Sequence, residues 1–212
     1  MTEMISKTNS FHLDILKEIG NIGAGHAATA LSKLLRHPID MNVPNVKIVS
    51  FDEMTDFIGG EETIIAAVFF RIEGDAPGSM FFMLELDQAS KLMSQVTGMP
   101  IHLKEPPYDE LAMSALQEVG NILTGSYLSA LADFTKLNLH PSVPAVGIDM
   151  AGALINYGLI QISQVSDFAV VINTVFMEEN TVSSVINGQV LLLPDPESFQ
   201  TIFSALGVPL NE

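Results

Sequence analysis

Two short patterns combine side chains that could do chemistry together: Glu18-x-x-Asn21 and Glu118-x-x-Asn121. A carboxylate accepts hydrogen bonds and pairs with cations, while a carboxamide both donates and accepts, so each pair can hold and orient groups of a bound partner. Three residues apart on a helix, the two groups share one face. Thiolate and redox chemistry are excluded, because the chain contains no cysteine. The five histidines, His12, His26, His37, His102 and His140, show no metal-ligand spacing and read as surface residues. No metal site is expected.

A lone Glu-x-x-Asn on an exposed helix would do no more than solvate it. Here the pattern occurs twice in register. Lys17-Glu18-Ile19-Gly20-Asn21-Ile22-Gly23-Ala24-Gly25 lies over Gln117-Glu118-Val119-Gly120-Asn121-Ile122-Leu123-Thr124-Gly125 at a constant offset of 100 (118 − 18). The same offset sets Ala30-Leu31 over Ala130-Leu131 and Val43-Pro44 over Val143-Pro144. Further on, Gly98-Met99-Pro100 faces Gly207-Val208-Pro209 at an offset of 109 (207 − 98), so the second copy has gained nine residues after Pro144, read as including 152–161. Two copies of this length are too few and too long for a solenoid. They indicate one domain over 1–212, built by internal duplication from halves at about 11–100 and 107–209.

The elements that must position the pairs follow from periodicity. Residues 11–36 and 110–136 carry the helical repeat. At about 100° per residue, Asp14, Glu18, Asn21 and Gly25 fall within about 60° of one another, opposite Leu16, Ile19, Gly23 and Ala27. Ser114, Glu118, Asn121 and Gly125 repeat this stripe against Leu116, Val119 and Leu123. Glycine inside a helix costs about 1 kcal/mol relative to alanine, so Gly25 and Gly125, one turn beyond each Asn, need a reason. A partner approaching the backbone supplies one. Gly20, Gly23 and Gly120, off the stripe, suit close packing of the two long helices. Gly20-x-x-Gly23-x-Gly25 reverses the dinucleotide-binding order and lies within a helix, so it is not a nucleotide loop.

Residues 46–51, 63–72 and 79–86 in the first half, and 168–177 and 181–193 in the second, read as strands. Helices at 88–97, capped by Asp87, and at 196–205, opened by Pro196, close the halves. Pro44 and Pro144 are expected to lock the turn after each long helix. Only Glu105-Pro106-Pro107 separates the halves. The expected fold is therefore α+β: two pseudo-symmetric halves, each a long helix, antiparallel strands and a shorter helix, sharing a continuous sheet. The methionines, Met80, Met83 and Met93 among them, are expected to fill the core.

Lys and Arg number 9 against 25 Asp and Glu, a net charge of −16 that disfavours nucleic acid and anionic membranes. The longest apolar run, residues 64–70, is far short of the roughly 18 needed to span a bilayer. The N-terminus lacks a cationic and an apolar region, so it is not a secretory signal, and a cytoplasmic location is expected.

Each half carries Asp or Ser, three residues, Glu, two residues, Asn, then 22 residues and Pro: Asp14, Glu18, Asn21, Pro44 and Ser114, Glu118, Asn121, Pro144. This resembles the signature of the CheC, CheX and FliY phosphatases of bacterial chemotaxis, and the twice-present motif and the length resemble the CheC type in particular. The resemblance implies hydrolysis of an aspartyl-phosphate on a CheY-like response regulator, with the Mg²⁺ carried by the regulator. Because phosphoryl transfer asks mainly for positioning and electrostatics, it implies that Asn21 and Asn121 orient the attacking water. Glu18 and Glu118 would pair with the regulator's active-site lysine. Asp14 and Ser114 would support docking. It also implies the receptor deamidase CheD as a partner, and Asp149 with the segment after it, which breaks the internal symmetry, is the candidate contact. Two other readings remain: a non-catalytic adaptor for the regulator or CheD, and a fragment of the flagellar switch.

Overall fold

The β-branched and aromatic runs between the helical stretches all enter one antiparallel sheet, and their apolar content decides which strands lie at its centre. The computed structural model describes residues 10–36, 38–50, 53–160, 168–178 and 185–208. In chain order the elements are α1 (Ser10–Leu35), β1 (Ile39–Ser50), a 3₁₀ turn (Thr55–Ile58), β2 (Ile64–Gly74), β3 (Gly78–Glu85), α2 (Leu86–Thr97), α3 (Glu110–Thr135), β4 (Leu139–Pro141), β5 (Ala145–Met150), α4 (Ala151–Ile160), β6 (Phe168–Glu178), β7 (Val185–Pro194) and α5 (Pro196–Ala205).

The sheet runs β1-β6-β7-β3-β2-β4, with β5 also paired to β2. This order is a palindrome. Each half contributes a hairpin, β2–β3 or β6–β7, and the two hairpins join through β3 and β7 at the centre. Each half then lends its first strand to the other: β1 pairs with β6, while β4 and β5 pair with β2. The halves are thus pseudo-symmetric and share one continuous sheet. Helix endings repeat the symmetry. Arg36 and Lys136 follow the long helices at φ 59° and 60°, and Gly98 and Gly207 follow the shorter ones at φ 68° and 75°.

The apolar run at 64–70 is explained by burial on both faces of β2. Ala66, Val68, Phe70 and Ile72 enter the main core beneath the helices, with Leu16, Leu31, Leu116, Leu123 and Phe203. Ile65, Ala67 and Phe69 point the other way, into a second core closed by Met54 and Ile58 of the 3₁₀ region and by Ala151 and Ile155 of α4. Met80, Met83 and Met93 are buried as expected. A bidentate pair between Arg71 of β2 and Asp195, the residue that precedes α5, ties the first half to the second.

Several expectations are corrected. β1 begins at Ile39, well before residue 46, and Pro44 lies within it rather than in a turn. An edge strand tolerates the missing N–H, and the register shifts between Asn42 and Asn45, where Pro44 falls. Glu85, not Asp87, precedes α2, and no side chain caps it. Asp87 sits in the first turn, where it complements the helix dipole. His12 is buried, its ring edge-on to Phe203 at 5.1 Å and its Nε2 3.1 Å from the Val208 carbonyl. His26, His102 and His140 are exposed, and His37 lies outside the described residues. So do residue 51, residues 181–184 of the second predicted strand, Gln161 and Pro209. β4 and β5 were not expected as such. α4 lies in the interval read as an insertion, where the described residues of the first half form the 3₁₀ turn.

Candidate functional site

Both stripes lie on helices whose buried side is settled by packing. Asp109 caps α3, its Oδ1 accepting from the Leu111 and Ala112 amides at 2.8 and 3.1 Å. Leu16, Ile19, Gly23 and Ala27 of α1 and Leu116, Val119 and Leu123 of α3 are buried. The opposite faces hold Asp14, Glu18 and Gly25, all exposed, with Asn21 half-buried, and Ser114, Glu118, Asn121 and Gly125, all exposed. Among the described residues, neither Glu18 nor Glu118 has an ion-pair or hydrogen-bond partner of its own.

The glycines divide by surroundings. A Cβ on Gly23 would lie 2.9 Å from Tyr127 Cδ1 and 3.0 Å from Tyr127 Cα, so Gly23 is where α1 meets α3. One on Gly120 would lie 2.8 Å from Val68, where α3 meets β2. Gly20 meets Val43 at 3.5 Å, an ordinary contact that does not demand glycine. Around Gly25 and Gly125 nothing lies within 4 Å. Packing therefore accounts for Gly23 and Gly120 and leaves the two stripe glycines facing open space.

The pairs are alike in sequence and different in support. Asn21 Oδ1 accepts from the Val43 amide at 2.9 Å, which fixes the carboxamide. Asn121 has no such partner among the described residues. Val43 is 1% exposed, whereas Val143 is 87% exposed. The cause lies in the backbone: the second half's counterpart of β1 is broken into β4 and β5, and Ser142 at the break exchanges two hydrogen bonds with Arg71, from its amide to the Arg71 carbonyl at 2.8 Å and from the Arg71 amide to its hydroxyl at 2.9 Å. The Val43 amide is a site feature the sequence reading missed. The only signal for it was the repeated Val-Pro 22 residues after each Asn.

Asn121 also borders an open groove of about 310 Å³ between the long helices, lined by Gly125 and Ser129 of α3 and by His26 and Ala30 of α1. Asp149 lies elsewhere. It is exposed near the end of β5, opposite Ile65 of β2, its Oδ1 accepting from the Met150 amide at 2.7 Å. The chain then enters α4, on the face of the sheet away from α1 and α3. Among the described residues no cluster of His, Asp and Glu could hold a metal ion, and no helix is long and apolar enough to cross a membrane.

A palindromic antiparallel sheet under a pair of long helices defines the class of fold. FliY from Thermotoga maritima shares it, with a TM-score of 0.74 at 18% identity over 94% of this chain and 98% of that one. So does the FliM middle domain from H. pylori, at a TM-score of 0.66 and 10% identity over 93% and 99%. The model of the CheC-like family matches residues 11–48 and 111–148, which contain both stripes and both prolines. CheY-P phosphatase CheC of Bacillus subtilis (strain 168) is 47% identical over 199 residues, covering 93% of this chain and 95% of that protein. The chain belongs to the CheC/CheX/FliY family of chemotaxis phosphatases.

Proposed function

We propose that this protein hydrolyses the aspartyl-phosphate of a CheY-like response regulator at two sites, one on α1 and one on α3. Water attacks phosphorus in line with the acyl oxygen, the phosphorus–oxygen bond to the aspartyl carboxyl breaks, and the products are inorganic phosphate and the free carboxylate. Asn121 orients that water through both the donor and the acceptor of its carboxamide, and Asn21, whose Oδ1 accepts from the Val43 amide, orients it chiefly through its NH₂ donor. Glu18 and Glu118, unpaired among the described residues, each meet the lysine of the docked regulator, which also brings the Mg²⁺. Asp14 and Ser114 extend the docking stripe by one turn.

The observation that carries this reading is the pair of stripes itself: a carboxylate and open glycine backbone exposed on both helices, with a carboxamide between them that is half-buried on α1 and exposed on α3. A loose phosphoryl-transfer transition state needs positioning more than a strong base, and these side chains supply positioning. The shared sheet and central β3–β7 pairing support a single duplicated domain.

The test is phosphate release from a phosphorylated CheY-type regulator with Mg²⁺, with and without the protein. Acceleration above the regulator's own decay is expected. Binding without acceleration would make the stripes the docking surface of an adaptor. For CheD, the proposed contact is Asp149 with the start of α4, remote from the stripes. Asp149→Lys should weaken CheD binding while leaving phosphate release intact, and unchanged CheD affinity would remove Asp149 from the contact.

A further inference from the structure

We propose that the second site is composite, and that His26 of the first half is a substrate-contact residue of the Asn121 site. This deepens the two-site reading and rests on it. His26 and Asn121 line the same groove, one from α1 and the other from α3. The imidazole is exposed, so a docked protein can reach it.

Chemistry singles out His26 among the groove's residues. The others are Ala30, Ile122, Gly125, two serines and Asn121 itself, so His26 supplies the one ring N–H donor among the groove's lining residues. In a chain of net charge −16, an approaching phosphoryl group meets a repelling field. A donor on the wall facing Asn121 offsets that repulsion where the phosphoryl oxygens arrive.

The two halves differ here in a way that gives His26 a purpose. The first site has a carboxamide anchored by the Val43 amide, whereas Asn121 has no such anchor among the described residues. The position equivalent to His26 is Ser126, so the imidazole occurs once, and the Asn121 groove includes it. Holding the phosphorylated regulator from two helices compensates for the looser carboxamide.

The experiment uses single-site backgrounds of the full chain, Asn21→Ala to isolate the second site and Asn121→Ala to isolate the first. Steady-state dephosphorylation of a phosphorylated CheY-type regulator is measured in each, with and without His26→Ala. The expected result is a KM raised about tenfold in the Asn21→Ala background, as loss of a hydrogen bond to a charged group implies, with kcat changed less than about twofold. In the Asn121→Ala background KM should stay within about twofold. His26→Gln, which keeps an N–H donor, should restore most of the loss. Equal effects in both backgrounds, no effect in either, or no rescue by Gln would overturn the proposal. Affinity for the phosphorylated regulator is measured alongside. If Asn21→Ala has no turnover, the two-site reading fails, and the His26 contact then stands only if His26→Ala still weakens binding in that background.

Discussion

Gly25 and Gly125 provide a prediction in which stability and activity move in opposite directions. Each lies mid-helix on a solvent-facing stripe with nothing within 4 Å of where a Cβ would be. Alanine adds no clash there and removes the backbone-entropy cost of glycine, so each substitution should stabilise the fold by about 1 kcal/mol. The sites do not share a contact, so the double variant Gly25→Ala/Gly125→Ala should gain about 2 kcal/mol. For a chain of this size that is roughly 4–8 °C in Tm. Gly23→Ala is the contrasting control. Its Cβ would meet Tyr127 Cα at 3.0 Å, backbone that cannot swing away, so it should lose about 1–3 kcal/mol. Urea denaturation gives the stabilities, and dephosphorylation of a phosphorylated CheY-type regulator gives the activity. If the open backbone at Gly25 and Gly125 exists for a docked partner, the stabilised double variant should show a KM raised several-fold. A double variant that is more stable and equally active would refute the docking explanation; one that is less stable would refute the reading of open space.

Other outcomes follow from contacts outside the stripes. Burial pushes the Tyr127 hydroxyl up to about 12, partly opposed by its 3.0 Å hydrogen bond with Thr174. A folded-state value above the ordinary 10 favours the neutral form, so this contribution is intact below pH 10 and lost as pH rises toward 12, about 3 kcal/mol in all. Tyr127→Phe should remove that alkaline loss, while costing about 1–2 kcal/mol at neutral pH by stranding the buried Thr174 hydroxyl, as denaturation at several pH values would show. Asp195→Ala leaves Arg71 half-buried without its carboxylate across the two halves, and should lower stability by about 2 kcal/mol in urea denaturation. The Thr124 hydroxyl is buried with no hydrogen-bond partner among the described residues, so Thr124→Val should raise stability by about 1 kcal/mol in the same assay.

What was legible in the sequence was whatever repeats or alternates. The offset of 100 exposed the halves, and the 3.6 period separated Glu18 and Asn21 from Leu16 and Ile19 without any coordinates. Strand exchange between halves was not legible, because β1 and β6 are far apart in the chain and nothing in their composition names a partner. β4 and β5 were missed although 46–51, carried over by the offset, points to 146–151; short strands with Gly147 and a break at 142–144 carry little periodicity. His12 was misplaced because a single polar residue on a helix does not reveal that Phe203, nearly 200 positions away, covers it. The inequivalence of Asn21 and Asn121 depends on a backbone amide and a broken strand, neither of which a side-chain pattern encodes.

The central claim, two Asn-dependent phosphatase sites, is tested most directly by phosphate release from a phosphorylated CheY-type regulator in the presence of wild type, Asn21→Ala, Asn121→Ala and the double variant, each checked for folding by circular dichroism. Wild type should accelerate release, each single variant should retain part of the acceleration, and the double variant should leave the regulator at its own rate. Substantial acceleration by a folded double variant would contradict it and move the chemistry away from both carboxamides.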